Sequence, residues 1–293
     1  MDKTIDSATK LYALLGYPVK HSISPAIHNS LFTRRNVNGR YILLQIPPND
    51  LASAAAVLRA SFSGFNVTVP YKQAIMEHLD EIDGRARLYG AVNTVKNVAG
   101  RLIGYNTDGH GFIKAFERLG ITVDGNRVLL AGAGGGARAA LYELLARNCH
   151  VTIVNRTRSR AEKLQSNLSG HLPGRAEVRD WHEVDDSYEF LINTTSVGMY
   201  PAQEQSPVAE QILGRLKKLA VVYDLIYNPA ETKLLQEAKR LGCKVINGYP
   251  MLFYQAMAAN EIWTEELIPE ELSEELFGQI EQYLRTMKQE RSL

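Results

Sequence analysis

The sequence predicts an α/β protein of two domains, the second a doubly wound sheet, with C-terminal helices that return to the first domain. Three observations predict this. Short apolar runs of strand character alternate with segments of helical period along most of the chain. Residues 127–138, Arg-Val-Leu-Leu-Ala-Gly-Ala-Gly-Gly-Gly-Ala-Arg, form an apolar run that breaks into glycines and resumes as a helix through Leu141, Leu144 and Leu145. The length, 293 residues, exceeds that of one ordinary compact domain.

In chain order, strands are expected at 10–15, 41–46 and 65–69 and helices at 25–34, 51–59 and about 72–79. Residues 91–106 read as a hairpin turning near 97–101, and a helix follows at 111–119. The glycine turn then leads a series of strands at 150–154, 190–193, 221–225 and 244–246. From Gly248 onward the pattern is helical, with Met251, Leu252, Tyr254, Met257 and Ile262 at helical spacing and a second helix over about 269–287. This tail has no strands with which to build a domain. The expected division is therefore 1–107 with 248–293, and 108–247.

Composition excludes several classes. Lys and Arg number 33 against 32 acidic residues, so no excess positive charge favours nucleic acid or an anionic membrane. The first ten residues lack the apolar core of a secretory signal, and no apolar stretch reaches the length of a membrane span. A cytoplasmic protein is expected. Cys149 and Cys243 lack Cys-x-x-Cys spacing, which fits a reducing compartment and two small buried residues. His21, His28, His78, His110, His150, His171 and His182 show no metal-ligand spacing, so no metal is expected. The acidic stretch 264–275 reads as a solvated helix face.

The glycine turn carries the clearest chemistry. Gly132 and Gly134 remove side chains where a pyrophosphate would meet backbone N–H groups, and Ala137 is small enough for helix–strand packing. This is the Rossmann fingerprint in its required strand–turn–helix context. The next strand ends not in a carboxylate but in Asn155-Arg156-Thr157-Arg158-Ser159-Arg160. A carboxylate there would hold a ribose 2′-hydroxyl and repel a 2′-phosphate. Arg156 and Arg160 would attract one, which favours NADP over NAD, the plain alternative being a solvated basic loop.

Three polar segments precede the turn. Ser22 and Ser24 flank a strand-to-helix junction, with Ser24 at the N-cap and Pro25 at the first helical position. Capping accounts for Ser24 but not for Ser22, and two hydroxyls at a helix N-terminus suit a carboxylate. In Asn66-Val-Thr68-Val-Pro70-Tyr-Lys72, Phe65, Val67 and Val69 are expected on one face and Asn66 and Thr68 on the other, with Lys72 just past the strand end. Lys72 is either a ligand-facing cation or a solvated lysine. Asp108, in Asn106-Thr-Asp-Gly, is either a functional acid or the cap of the helix near Gly111.

The chain resembles the shikimate dehydrogenases, and the wider shikimate/quinate dehydrogenase family, in His21-Ser-Ile-Ser-Pro25, Asn66-Val-Thr-Val-Pro-Tyr-Lys72, Gly90-Ala-Val-Asn-Thr94 and Asn106-Thr-Asp-Gly109. The likeness extends through Gly132 to Ala137, Asn155 to Thr157, Asn193-Thr-Thr-Ser-Val-Gly-Met199, Tyr223-Asp-Leu-Ile-Tyr227 and Gln255. The resemblance implies NADP-dependent interconversion of 3-dehydroshikimate and shikimate, in aromatic amino-acid biosynthesis, by a soluble monomer or homodimer. It implies Lys72 and Asp108 as the catalytic pair, and Ser22, Ser24, Thr68, Asn93, Tyr227 and Gln255 on the substrate. It likewise puts Gly132, Ala133, Gly134, Gly135, Gly136, Asn155, Arg156, Thr157, Arg160, Leu225 and Gly248 on NADP. Tyr249 and residues 256–260 depart from the family pattern.

Alcohol oxidation removes a hydroxyl proton as hydride leaves the same carbon. An ordinary lysine is protonated at neutral pH, and a neighbouring aspartate favours that form. Lys72 is thus expected to donate to the substrate oxygen and relay its proton, with Asp108 orienting the amine and the substrate hydroxyl. Three other readings use the same features: a quinate/shikimate enzyme with broader substrate or NAD use, a methylene-tetrahydrofolate dehydrogenase-like enzyme, and a catalytically silent sensor of NADP and a small acid.

Overall fold

The computed structural model describes residues 5–168, 172–216 and 218–290, with side chains to 286. Residues 1–4 and His171, which entered the readings of the N-terminus and of metal spacing, lie outside the described residues. Two compact units are present, Met1–Thr107 with Gln255–Leu293, and Asp108–Tyr254.

The first unit holds β1 (Lys10–Gly16), α1 (Ser24–Arg34), β2 (Gly39–Gln45), α2 (Leu51–Ser61), β3 (Gly64–Val67), β4 (Glu81–Ile82), α3 (Gly84–Tyr89), β5 (Thr94–Val98) and β6 (Arg101–Tyr105). Its sheet runs β2-β1-β3-β5-β6-β4. β1 pairs in parallel with β2 and β3, and the β5–β6 hairpin adds antiparallel to β3. Alternation along the strands sends Ala13, Leu15, Phe65, Val67 and Val95 to one face, where α2 covers them with Leu51, Ala55 and Leu58. Tyr12, Leu14 and Tyr41 pack on the other face with Phe32 of α1.

The second unit begins with α4 (Asp108–Glu117) and continues through β7 (Arg127–Ala131), α5 (Gly135–Ala146), β8 (His150–Val154), α6 (Arg158–Leu168), β9 (Arg175–Val178), β10 (Phe190–Asn193), α7 (Glu210–Leu213), β11 (Val221–Asp224), α8 (Lys233–Arg240) and β12 (Lys244–Ile246). All pairings are parallel and the strand order is β12-β11-β10-β7-β8-β9, the doubly wound arrangement. The central strands feed two cores. Val128, Leu130, Ile192 and Tyr223 face one, and Leu129, Leu191 and Val222 face the other. Such burial on both faces requires near-continuous apolar runs, which is how these strands read.

The C-terminal helices are α9 (Tyr249–Thr264) and α10 (Glu270–Glu290). The division between units falls within α9, and from Gln255 onward the chain belongs to the first unit. There Ala259 and Trp263 pack with Tyr12, Phe32 and Tyr41, and the Trp263 indole donates to the Val95 carbonyl at 2.9 Å. The acidic stretch is exposed, as a solvated face should be, and its carboxylates also meet cations of the first unit. Glu265 pairs with Lys96, Glu275 with Arg34, and Glu266 with Arg35 at 2.8 Å. Arg35 also donates to Asn260 at 2.8 Å and Thr264 at 3.1 Å, which gives the departure at 256–260 a packing role.

Several local expectations change. The α-helix expected at about 72–79 is a 3₁₀ turn, Ala74–His78. Val69 does not share the buried face of Phe65 and Val67: it lies past the strand end and is 67% exposed. Asn66 is buried, because β3 is covered on both faces. Strands β4 and β9 and helix α3, which no strong apolar run announces, complete the two sheets. Cys149 is buried, Cys243 half-buried, and both are free thiols.

Candidate functional site

In the first unit, the serine pair lies where β1 hands over to α1. Ile23 occupies the N-cap, and Ser24 and Pro25 are the first helical residues, so the Ser24 N-cap expectation moves by one position. The capping bond comes from Ser22: its Oγ accepts from the Ser24 N–H at 3.2 Å, while its hydroxyl donates to Ser24 Oγ at 3.0 Å. Ser22 thus has the local role first assigned to Ser24. Both oxygens lie together at a helix N-terminus, where the backbone dipole favours an anion.

Beside β3 and β5 lies a buried amide–hydroxyl network. The Thr107 N–H donates to Asn93 Oδ1 at 2.8 Å, which orients the Asn93 amide. Its Nδ2 then donates to Thr107 Oγ1 at 3.0 Å and Gln255 Oε1 at 3.3 Å. Asn66 Nδ2 donates to the Asn93 carbonyl at 3.1 Å and Thr94 Oγ1 at 3.0 Å, and its Oδ1 accepts from the Tyr41 hydroxyl at 2.7 Å. Asn93 and Gln255, 162 residues apart, meet here. Tyr41, Thr94 and Thr107 were not singled out from the sequence. Thr107 stands inside a matched motif and could have been found; Tyr41 reads as an ordinary strand aromatic.

Lys72 is half-buried just past β3, and its carbonyl accepts from the Val92 N–H at 2.7 Å, which ties it to the segment before β5. Thr68 is held by a bond from its N–H to the Leu15 carbonyl at 2.9 Å. A Cβ at Gly16 would lie 2.4 Å from Thr68 Cγ2, so Gly16 lets Thr68 approach β1.

In the second unit the glycine turn follows β7, beside β10, where the strand order reverses. Gly132 has φ of +112°, and a Cβ there would sit 2.4 Å from Thr194 Oγ1. α5 starts at Gly135 without a side-chain cap, and Gly134, Gly135 and Gly136 leave its first N–H groups uncovered by bulky side chains. Ala133 packs against the core. A backbone approach this close, ending in an uncapped helix N-terminus, fits a pyrophosphate. At the end of β8, Asn155 donates to the Thr157 carbonyl at 2.8 Å and shapes the following turn.

The arginines there divide. Arg158 pairs with Glu162 at 3.0 Å and Asp180 at 3.2 Å. Arg156 and Arg160 are exposed and have no ion-pair partner among the described residues. Among the described residues no carboxylate neutralises them. Asp180, His182 and Glu183 come within metal-ligand distance of one another, yet Asp180 and Glu183 form a capping box and face Arg158.

Leu225, Tyr227 and Gly248 sit after β11 and β12. A Cβ at Gly248 would lie 2.0 Å from the Leu225 carbonyl oxygen, and the Gly248 N–H donates to the Ile226 carbonyl at 2.9 Å. Asp224 anchors this segment, accepting from Asn193 Nδ2 at 2.9 Å, the Ile226 N–H at 3.1 Å and the Thr232 hydroxyl at 2.7 Å. Asp108 does not cap a helix starting at Gly111; it is the first residue of α4 and is buried. No described helix is long and apolar enough to cross a membrane.

Residues 14–95 match the family described as the shikimate dehydrogenase substrate binding domain, and residues 114–227 that described as shikimate/quinate 5-dehydrogenase. The shikimate dehydrogenase (NADP(+)) of Geobacillus kaustophilus is 44% identical over 87% of this chain and 92% of its own. A shikimate dehydrogenase crystallised with NADP+ is 39% identical, with a TM-score of 0.85 over 94% of this chain and 96% of that one. The Thermus thermophilus shikimate 5-dehydrogenase, solved with NADP(H) and shikimate, is 34% identical, with a TM-score of 0.83 over 92% and 99%.

Replacing Arg156 and Arg160 together with Ser should weaken NADP binding at least about tenfold and leave NAD binding nearly unchanged, because only the 2′-phosphate loses charge-assisted bonds. Fluorescence titration of both cofactors measures this. Burial raises the Asp224 carboxyl to about 6, against opposing hydrogen bonds from Thr232, Ile226 and Asn193. The folded state therefore binds this proton more tightly than the unfolded chain. Stability from this group is fully present below about pH 4 and declines as pH rises to about 6, by roughly 3 kcal/mol. Asp224→Asn should flatten that decline in urea-denaturation midpoints measured across this range.

Proposed function

The chain belongs to the shikimate/quinate dehydrogenase family, and from that premise we propose that it interconverts 3-dehydroshikimate and shikimate with NADP. The observation that carries this reading is the presence, in one chain, of two complementary halves. One is a glycine turn with free arginines nearby; the other is a buried amide–hydroxyl network beside a serine pair. NADP-linked oxidation needs the first, and recognition of a polyhydroxylated acid needs the second. The broader reading with quinate or NAD gains nothing from Arg156 and Arg160, which have no counterpart group on NAD.

Gly132, Ala133, Gly134, Gly135 and Gly136 would hold the pyrophosphate, and Asn155, Arg156, Thr157 and Arg160 the adenosine ribose and its 2′-phosphate. Leu225 and Gly248 would line the cofactor's other end. When bound, NADP supplies or accepts the hydride at its nicotinamide ring. The chain's own work is then with protons and placement. Ser22 and Ser24 hold the carboxylate, and Thr68, Asn93, Tyr227 and Gln255 hold ring hydroxyls. Asn93 suits this task because its amide is already oriented by the Thr107 N–H, so ordering it costs little on binding.

Lys72 donates to the ketone oxygen during reduction and receives the alcohol proton during oxidation. Asp108 orients the ammonium and the adjacent hydroxyl. Charge developing on that oxygen is met by a cation placed in advance, the arrangement that lowers a barrier most.

Spectrophotometric assay of NADP+ and NAD+ reduction with shikimate and with quinate tests the reading. Turnover is expected with shikimate and NADP+, and absence of turnover with every pair would overturn it. Lys72→Ala should lower kcat by about 10³-fold or more with a much smaller change in shikimate KM, the mark of an interaction made mainly in the transition state. Ser22→Ala should raise shikimate KM about tenfold with kcat nearly intact, the loss of one hydrogen bond to a charged group.

A further inference from the structure

Arg127, His150 and Arg175 open β7, β8 and β9, and the parallel register sets Arg127 beside His150 and His150 beside Arg175. Residues in register on neighbouring strands project to the same face of a sheet, about 4.8 Å apart. Three basic side chains therefore form one row. They stand at the strand N-termini, whereas the glycine turn follows the other end of β7, about 13 Å away along that strand.

The row borders a pocket of about 370 Å³, lined also by Thr152, Glu177 and Arg179. Elsewhere on this face Leu129, Leu191 and Val222 are packed into a core, but His150, Arg175 and Glu177 are exposed. The sheet is left open at this corner.

Charges along the pocket are unevenly matched. Like charges directly opposite one another destabilise a sheet, while complementary polar pairs support it. The next row on meets that rule: the Thr152 hydroxyl donates to Glu177 at 3.0 Å, accepts from the Tyr188 hydroxyl at 3.0 Å, and Glu177 also pairs with Arg179 at 2.9 Å. The basic row does not. Arg127 and Arg179 share Asp185 only at 3.9 and 3.7 Å, beyond hydrogen-bond reach. The Arg127 guanidinium is held over the Tyr188 ring, 5.4 Å from its centroid, and its Nε is buried without a hydrogen-bond partner. The side chains of His150 and Arg175 have neither a hydrogen bond nor an ion pair among the described residues.

The fold gains nothing from such a row, and an anion with several oxygens would relieve it. A guanidinium fork matches phosphate oxygens in pairs, and a dianion offsets more of this charge than a carboxylate does. We infer that this pocket is an anion site separate from the glycine turn, taking the phosphate group of a small phosphate ester or free phosphate. Arg127, His150 and Arg175 are its donors. Tyr188 sets Arg127 in place beforehand, and Arg175 brings a fork committed to no other group. The pocket volume leaves room for a small organic group beside the phosphate.

Calorimetric titration of the full chain with inorganic phosphate and with glycerol 3-phosphate, at constant ionic strength, tests this. Arg175→Ala should weaken binding at least about tenfold, as the loss of a charge-assisted fork. His150→Ala should weaken it about threefold, as the loss of one neutral donor. Both side chains are exposed and unpartnered, so thermal melting should not move in either variant without phosphate. Arg156→Ser with Arg160→Ser, which removes the other exposed arginines of this unit's sheet, should leave phosphate affinity within about twofold. Tighter binding of glycerol 3-phosphate than of phosphate identifies an ester as the occupant, and equal binding identifies the free ion. Absence of saturable binding, or binding that survives Arg175→Ala but is lost with Arg156 and Arg160, would overturn the inference. Neither result bears on shikimate turnover, on which the proposed function stands or falls.

Discussion

Two backbone groups set the polar interior of the first unit. The Thr107 N–H can only donate, so Asn93 must present Oδ1 to it, and the Asn93 carbonyl can only accept, so Asn66 must turn its Nδ2 toward it. Asn93 Nδ2 turns to Gln255 and Thr107, the Asn93 carbonyl orients Asn66, and Asn66 receives Tyr41. A buried network of this kind is stabilising only when every member is satisfied. Here the same requirement that keeps the fold intact also arranges polar groups before any ligand arrives. His28, stacked on Tyr41 with its nitrogens unpartnered, is the exception.

The second unit depends on a different constraint, close approach of other chain segments to a glycine backbone. At Gly132 and Gly248 a Cβ would lie 2.4 and 2.0 Å from its nearest neighbour. Both glycines lie where strands of a parallel sheet end, and they bring chain segments together that a side chain would hold apart. Asp224 stabilises this end of the sheet through three hydrogen bonds while being buried as an acid. Electrostatics nearby follows from which charges are already neutralised. Arg158 is engaged by Glu162 and Asp180, whereas Arg156 and Arg160 have no ion pair among the described residues. Of the three, only Arg158 has a carboxylate four residues on, and its second partner, Asp180, is brought to it by the fold.

The legible parts of the fold were those governed by local pattern. The doubly wound sheet followed from apolar runs alternating with helical periods, since strands buried on both faces cannot be built otherwise. The strand, turn and helix at 127–138 were visible because glycine is the residue that permits a positive φ and close approach at once. What failed was short or marginal. β4 and β9 have too few apolar residues to announce themselves, the residues after Lys72 close into a 3₁₀ turn instead of an α-helix, and the N-cap shifted to Ile23. The acidic stretch is solvated as it read, but its ion pairs were not legible, because the partners Arg34, Arg35 and Lys96 stand more than 150 residues away.

By itself the sequence determined the fold class, the glycine turn, the absence of a carboxylate after β8 and the polar segments around Ser22, Asn66 and Asp108. These are local properties, set by period, by backbone freedom and by the charge a residue brings wherever it sits. Only the tertiary structure decided which polar groups face one another: Gln255 on Asn93, Tyr41 on Asn66, Arg158 on Asp180. Such pairings depend on strand register and helix packing, which bring distant residues within 3.5 Å, and on each buried donor having to find an acceptor.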